Sequence, residues 1–149
     1  MSLSEKIAVD LMAAMKARDT MSLEALRAAK TAFILARSER GQDTVLTQDE
    51  EIKIIQKLVK QRKESAAIYR EQKRPDLYEK EENEAIVLER YLPAKMSDKE
   101  LGDALKAIIL RVGAKGPSDI GKVMGVATKE LAGKADGREI SVKVKLLLG

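Results

Sequence analysis

The sequence predicts an all-α fold: an N-terminal four-helix domain over residues 1–94, then a small three-helix C-terminal domain over 95–149. Three observations predict it. Ala, Leu, Lys, Glu and Arg dominate the chain, and these residues favour helix. β-Branched residues are scattered and never form the alternating run of a half-buried strand. Glycine is segregated: only Gly41 precedes residue 100, and the other eight lie between Gly102 and Gly149. Long helices are therefore expected first, and short, closely spaced ones after the break at Tyr91-Leu92-Pro93-Ala94-Lys95, where Pro93 disfavours helix at Leu92.

Seven helices follow from the apolar spacing and the caps. The first covers about 4–17, with Leu3, Ile7, Leu11 and Met15 inward, and the second about 22–40, with Leu23, Leu26, Phe33 and Ile34 inward. Gly41 to Leu46 reads as a polar loop. Thr47 and Glu50 form a capping box for a third helix that reaches about residue 72. Lys73-Arg74-Pro75-Asp76 is a turn, and the fourth helix covers about 76–91. Ser97 and Glu100 read as a second capping box, for a fifth helix over about 98–112. The sixth starts after Gly116-Pro117-Ser118, with proline in its first turn, and stops at Gly133. The seventh, after an Asp136-Gly137 turn, covers about 141–148.

The third and fourth helices pair in one antiparallel register. It sets Tyr69 opposite Leu77, Ser65 opposite Glu81, Arg62 opposite Glu84, Leu58 opposite Leu88 and Ile55 opposite Tyr91. The expectation is a structural Arg62–Glu84 ion pair in an otherwise apolar seam, with Glu81 accepting from Ser65 or Arg62. A catalytic carboxylate dyad of Glu81 and Glu84 is the alternative use of the same residues.

Composition narrows the chemistry. The chain has no Cys, so disulfides and thiolate metal sites are excluded. It has no His, which removes the commonest general base and zinc ligand and any Ser-His or Cys-His nucleophile. No catalytic residue, metal site or cofactor is expected. The N-terminal segment is an amphipathic helix carrying acids, not a signal peptide. No apolar run approaches membrane-spanning length, so the cytoplasm is the expected compartment and no membrane partner is expected.

The net charge of +4 is unevenly distributed. Residues 53–74 carry eight Lys and Arg against Glu64 and Glu71, and residues 76–89 carry six acids against Lys80. Those blocks can neutralise each other. Residues 104–149 carry nine basic and four acidic residues, with nothing nearby to balance them. Two places could meet phosphates. Lys53, Lys57 and Lys60 lie on one stripe of the third helix, which is either a phosphate-binding strip or a solvated face. In the C-terminal part, Gly121 and Gly125 lie one turn apart on one helix face, beside Lys122. Glycine within a helix costs about 1 kcal/mol relative to Ala, so either another helix or a ligand backbone must approach closely there. Lys115-Gly116-Pro117-Ser118 places a cation beside free helix N–H groups, and Gly133 to Arg138 forms a basic, glycine-rich turn containing Lys134.

These segments resemble the GatB/YqeY family. The resemblance rests on Asp119-Ile120-Gly121-Lys122-Val123-Met124-Gly125, on Gly133-Lys134-Ala135-Asp136-Gly137-Arg138, and on Lys60-Gln61-Arg62-Lys63-Glu64-Ser65 with Tyr69, Arg74, Leu77, Glu81 and Glu84. Tyr91-Leu92-Pro93 and Leu26-Arg27 extend it over nearly the whole chain. It implies a larger N-terminal helical domain and a three-helix domain similar to the tail of the B subunit of the glutamine-dependent tRNA amidotransferase. That tail helps to hold the tRNA body. The family is often labelled a carbon–nitrogen ligase with glutamine as amido donor, but the label belongs to the larger enzyme, whose amidase and ATP-dependent kinase portions this chain does not resemble. Carried over by position, Gly121, Lys122, Gly125, Lys134 and Arg138 are the implied tRNA-facing residues, with Ile120 and Met124 in the core. Lys115 joins them on the charge argument above.

The sequence thus predicts a tRNA-binding accessory protein. The alternative is a helical adaptor that docks on an amidotransferase or an aminoacyl-tRNA enzyme. An intrinsic amide-transfer enzyme would need a nucleophile or carboxylate cluster, for which the sequence offers only the Arg62 seam. The shortage of aromatics, limited to Phe33, Tyr69, Tyr78 and Tyr91, favours backbone recognition of folded RNA over base stacking.

Overall fold

Local caps start most of the helices. In the computed structural model, which describes residues 1–41 and 44–149, α1 (Leu3–Ala17) begins with a capping box between Ser2 and Glu5. It ends at Arg18, a left-handed residue whose N–H returns to the Ala14 and Met15 carbonyls. Asp19 caps α2 (Thr20–Arg40) by accepting from the Ser22 N–H and hydroxyl. The expected loop from Gly41 to Leu46 includes Gln42 and Asp43, which lie outside the described residues. The Thr47–Glu50 capping box forms on α3 (Gln48–Glu71) with both of its hydrogen bonds. Lys73 turns the chain with a left-handed backbone, and Pro75 opens α4 (Pro75–Glu89). Ser97 caps α5 (Asp98–Val112) by accepting from the Glu100 N–H, but Glu100 does not return the bond, so only half of the expected box is made. A single 3-10 turn, Pro117–Asp119, leads into α6 (Ile120–Glu130), and α7 (Gly137–Leu148) closes the chain.

Among the described residues there are seven α-helices and no strand. The two last helices differ from expectation at their facing ends. α6 stops at Glu130, three residues before Gly133, and the chain turns through residues 131–135 with Gly133 at positive φ. Asp136 is the N-cap of α7 and not part of a turn, because its carboxylate accepts from the Arg138 N–H. The helix therefore starts at Gly137, four residues earlier than its apolar pattern suggests.

The chain divides into two compact units, Met1–Leu92 and Pro93–Gly149. In the first, α3 packs along α4, α1 along α2, and α2 also against α4, around Ile7, Leu26, Phe33, Ile55 and Leu88. Two inward expectations fail here. Met15 and Ile34 are about half exposed, and Ala14, Ala25 and Ala29 are buried instead. A repeated four-residue step drifts around an α-helix, and only alternating steps of three and four stay on one face, as Ile7, Leu11 and Ala14 do. The alanines are also small enough to let α1 and α2 approach. Three long-range hydrogen bonds, at two places, tie this unit together. Glu51, on α3 and almost fully buried, accepts from both the N–H and the hydroxyl of Ser4 in the first turn of α1. The Tyr91 hydroxyl donates to Asp10 on α1, and the Lys6 ammonium lies 5.6 Å from the Tyr91 ring centre. Burial and the Asp10 carboxylate both push the Tyr91 phenol up.

The expected seam between α3 and α4 is corrected by rotation. Ile55, Val59 and Ala66 are buried on α3, whereas Leu58 and Ser65 sit at the margin. Arg62 stays in the seam, but it makes no ion pair with Glu84, and its buried Nε has no hydrogen-bond partner. Neither Ser65 nor Arg62 donates to Glu81. The ion pairs that do cross the hairpin are Lys63–Glu89 and Arg70–Glu82, outside the seam, with acids nearly two turns further along α4 than the expected register places opposite them. The α3 cations on the seam's flank thus take the reachable acids, and Glu84 is left buried without a direct counter-charge.

In the second unit, α5, α6 and α7 enclose Leu105, Ile108, Val123, Ala127, Ile140 and Val144. The Met96 N–H donates to the Lys134 carbonyl at 2.8 Å, which ties the segment before α5 to the α6–α7 connection. Among the described residues, no helix is long and apolar enough to cross a membrane.

Two predictions follow from these buried carboxylates. Glu51→Ala leaves two Ser4 donors unmatched and is expected to lower stability by about 1–3 kcal/mol in urea unfolding, with Glu51→Gln, which keeps an acceptor, losing less. For Glu84, burial raises the carboxyl above its ordinary value, Arg62 opposes the rise and Glu81 adds to it. A carboxyl raised by folding binds its proton more tightly in the folded state. Its contribution to stability is full below the unfolded-chain value and is lost as pH rises through the folded one. Glu84→Gln is therefore expected to gain on the wild type progressively as pH rises from the carboxyl range towards neutrality, measured as the denaturant midpoint.

Candidate nucleic-acid interface

The site begins with the two faces of α6. Val123 and Ala127 have no exposed surface, and their positions fix one side of the helix against α5 and α7. Gly121 and Gly125 lie half a turn away from that stripe and are exposed. A Cβ placed on either glycine would meet no atom within 4 Å. The first of the two alternatives raised by the sequence, close packing of another helix, is therefore not realised among the described residues. Lys122 lies beside the glycines, and Lys129 lies two turns after Lys122 on the same side, both exposed. Thr128 carries a hydroxyl on this face, which donates to the Met124 carbonyl within the helix, and Ser118 is exposed in the 3-10 turn before α6. Val126 and Met124 flank the buried stripe, and Ile120 and Met124 both pack on the core of this unit.

The remaining candidates lie off this face. Lys115 is exposed, but its N–H is bound by the Asp119 carboxylate at 2.9 Å. A carboxylate thus already stands beside the helix start that the sequence marked as an anion site, and Asp119 makes no side-chain cap on α6. Lys134 is exposed in the α6–α7 connection, with its backbone held by Leu131 and Met96. Arg138 is in the first turn of α7 and not in a turn between helices. It lines a cleft of about 830 Å³ between α5 and α7, together with Met96, Leu101, Val142, Leu146 and the ion pair of Lys143 with Asp98. The structure thus gathers Gly121, Lys122 and Gly125 on one helix face and places Arg138 in a cleft that no α6 residue lines.

Two features went unmarked in the sequence reading. Lys129 was passed over, although its seven-residue spacing from Lys122 places both on one helix side. The α5–α7 cleft was not foreseen either. Its signal was available: α7 carries more apolar residues than one face can bury, with Ile140 and Val144 inward and Val142 and Leu146 outward and exposed. Lys143 crosses this cleft, its Cε 3.3 Å from the position a Cβ on Gly102 would take.

The Arg62, Glu81 and Glu84 cluster is not part of this face. It belongs to the α3–α4 seam of the other unit, and no group of three or more His, Cys, Asp or Glu residues placed to hold a metal ion occurs among the described residues.

The family model described as Yqey-like protein matches residues 4–148. No curated protein matches the chain. The chain belongs to the YqeY-like family.

Proposed function

We propose that this YqeY-like chain is a tRNA-binding accessory protein, whose C-terminal unit contacts the sugar–phosphate backbone of a folded RNA through the open face of α6. The observation that carries the reading is the pair of exposed glycines at 121 and 125, with nothing within 4 Å of a Cβ on either. Both positions forgo helix stability without gaining a packing partner inside the chain. A flat, side-chain-free strip lets a bulky backbone come close to the helix. Lys122 and Lys129 flank that strip and supply phosphate contacts. Ser118 and peptide groups can meet 2′-hydroxyls, which distinguish RNA from DNA. The excess of basic residues over 104–149 supports the same partner. So does the resemblance of this part to the tail of the tRNA amidotransferase B subunit.

Recognition of this kind has weak sequence preference and strong salt dependence. The reading assigns the chain binding and leaves the amide-transfer chemistry to the larger enzyme. Lys134 adds an exposed cation in the α6–α7 connection, whereas Arg138 lies in the α5–α7 cleft with Asp136 and Glu139 beside it. Lys115 contributes charge only, because its N–H is engaged by Asp119.

The test is binding to bulk folded tRNA across a salt series, with the intact chain compared to a Lys122→Ala, Lys134→Ala, Arg138→Ala variant. The intact chain is expected to bind at low salt and weaken steeply as salt rises. The variant is expected to lose affinity, and its log–log salt slope should flatten by about 0.7–0.9 for each phosphate contact removed. Absence of binding by the intact chain at low salt contradicts the reading. It would favour the second one, an adaptor for an amidotransferase or aminoacyl-tRNA enzyme, which the apolar residues Met96, Leu101, Val142 and Leu146 of the α5–α7 cleft support.

A further inference from the structure

The exposed cations of α3 fall into two classes. Lys63 and Arg70 are paired with Glu89 and Glu82 of α4. Nearby, Arg40 is paired with Glu50, Arg74 with Asp76 and Lys80 with Glu24. Lys53, Lys57 and Lys60 are exposed and make no ion pair among the described residues. These three occupy one stripe of α3, with rises of about 6 Å and about 4.5 Å between them. Asp49 and Glu64 bound the stripe, one turn before Lys53 and one turn after Lys60. Glu50, the acid otherwise nearest Lys53, is held by Arg40 and by the Thr47 cap, which keep its carboxyl below the ordinary range.

Like charges one turn apart destabilise a helix. α4 carries an excess of acids, yet those that reach α3 pair with Lys63 and Arg70 and not with the stripe. Asp49 and Glu64 can offset the repulsion only at the two ends of the stripe; Lys57, between Lys53 and Lys60, has no acid one turn away on the helix. An exposed row of lysines on flexible stems fits a polyanion backbone. We propose that Lys53, Lys57 and Lys60 form a second phosphate-contacting strip, on the N-terminal unit, which engages the RNA that the C-terminal unit holds. The inference rests on the RNA-binding reading above and names a further surface for the same ligand.

The experiment uses the full chain and bulk folded tRNA over a salt series, with three proteins: the wild type, a Lys53→Ala, Lys57→Ala, Lys60→Ala variant, and the C-terminal Lys122→Ala, Lys134→Ala, Arg138→Ala variant. Alanine at exposed helix positions preserves α3, and thermal unfolding followed by circular dichroism checks that it has. The α3 variant is expected to bind about ten-fold or more weakly at moderate salt, with a salt slope flatter by about 2–3. An α3 variant with the affinity and slope of the wild type overturns the inference, and it leaves the C-terminal reading intact if the other variant is impaired. Loss in the α3 variant alone upholds the strip and removes Lys122, Lys134 and Arg138 from the contact surface. No binding by the wild type at low salt overturns both.

Discussion

The second unit depends on the burial of one side of a short helix. Val123 and Ala127 of α6 are sealed against Leu105, Ile108, Ile140 and Val144, and this contact fixes which way the rest of α6 faces. Two glycines weaken the helix, Gly125 by about 1 kcal/mol relative to Ala and Gly121, in the first turn, by less. Full burial of one valine contributes about 1.5–3 kcal/mol, enough to offset both. The helix therefore persists with a bare outer face, and the buried stripe points Gly121 and Gly125 away from the core. Lys122 and Lys129 follow from the same rotation, since they share the helix with the residues that set it.

The first unit handles charge differently. Its basic and acidic blocks meet across the α3–α4 hairpin, where Lys63–Glu89 and Arg70–Glu82 close over the seam. These pairs are partly exposed and add little stability individually. Their consequence is which groups they leave over. Glu84 is buried without a partner and its carboxyl is raised, Arg62 keeps an unmatched Nε, and the stripe of Lys53, Lys57 and Lys60 stands free on the far side. Hydrogen bonds from Ser4 to Glu51 and from Tyr91 to Asp10 hold α1 against the elements around it.

Helix starts were readable in the sequence because caps are local. Thr47 with Glu50, Ser97, and Pro117 mark boundaries that depend only on neighbouring residues. Helix faces were less readable, because they depend on what packs against them. A strict four-residue repeat selects Met15, and Ile34 stands next to the inward Phe33, but the packed helices bury Ala14, Ala25 and Ala29 instead. The ion pair of Arg62 with Glu84 was complementary in the sequence, but side-chain reach across the hairpin decided differently. At the candidate site, the exposed glycines and Lys122 were legible from spacing and propensity. The position of Arg138 was not, because Asp136 was read as a turn residue when it caps α7. The carboxylate of Asp119 beside Lys115 was equally hidden, since it is a fold-back contact between residues the sequence shows only as neighbours.

The most direct measurement is made on a Gly121→Ala, Gly125→Ala chain, for thermal stability and for affinity to folded tRNA. Both positions are helical with open space where the methyl groups go, so the variant should be more stable, by up to about 2 kcal/mol. The account predicts that it is also a weaker RNA binder, because the methyl groups hold the backbone off the helix. A stabilised variant that binds tRNA as well as the wild type would contradict it.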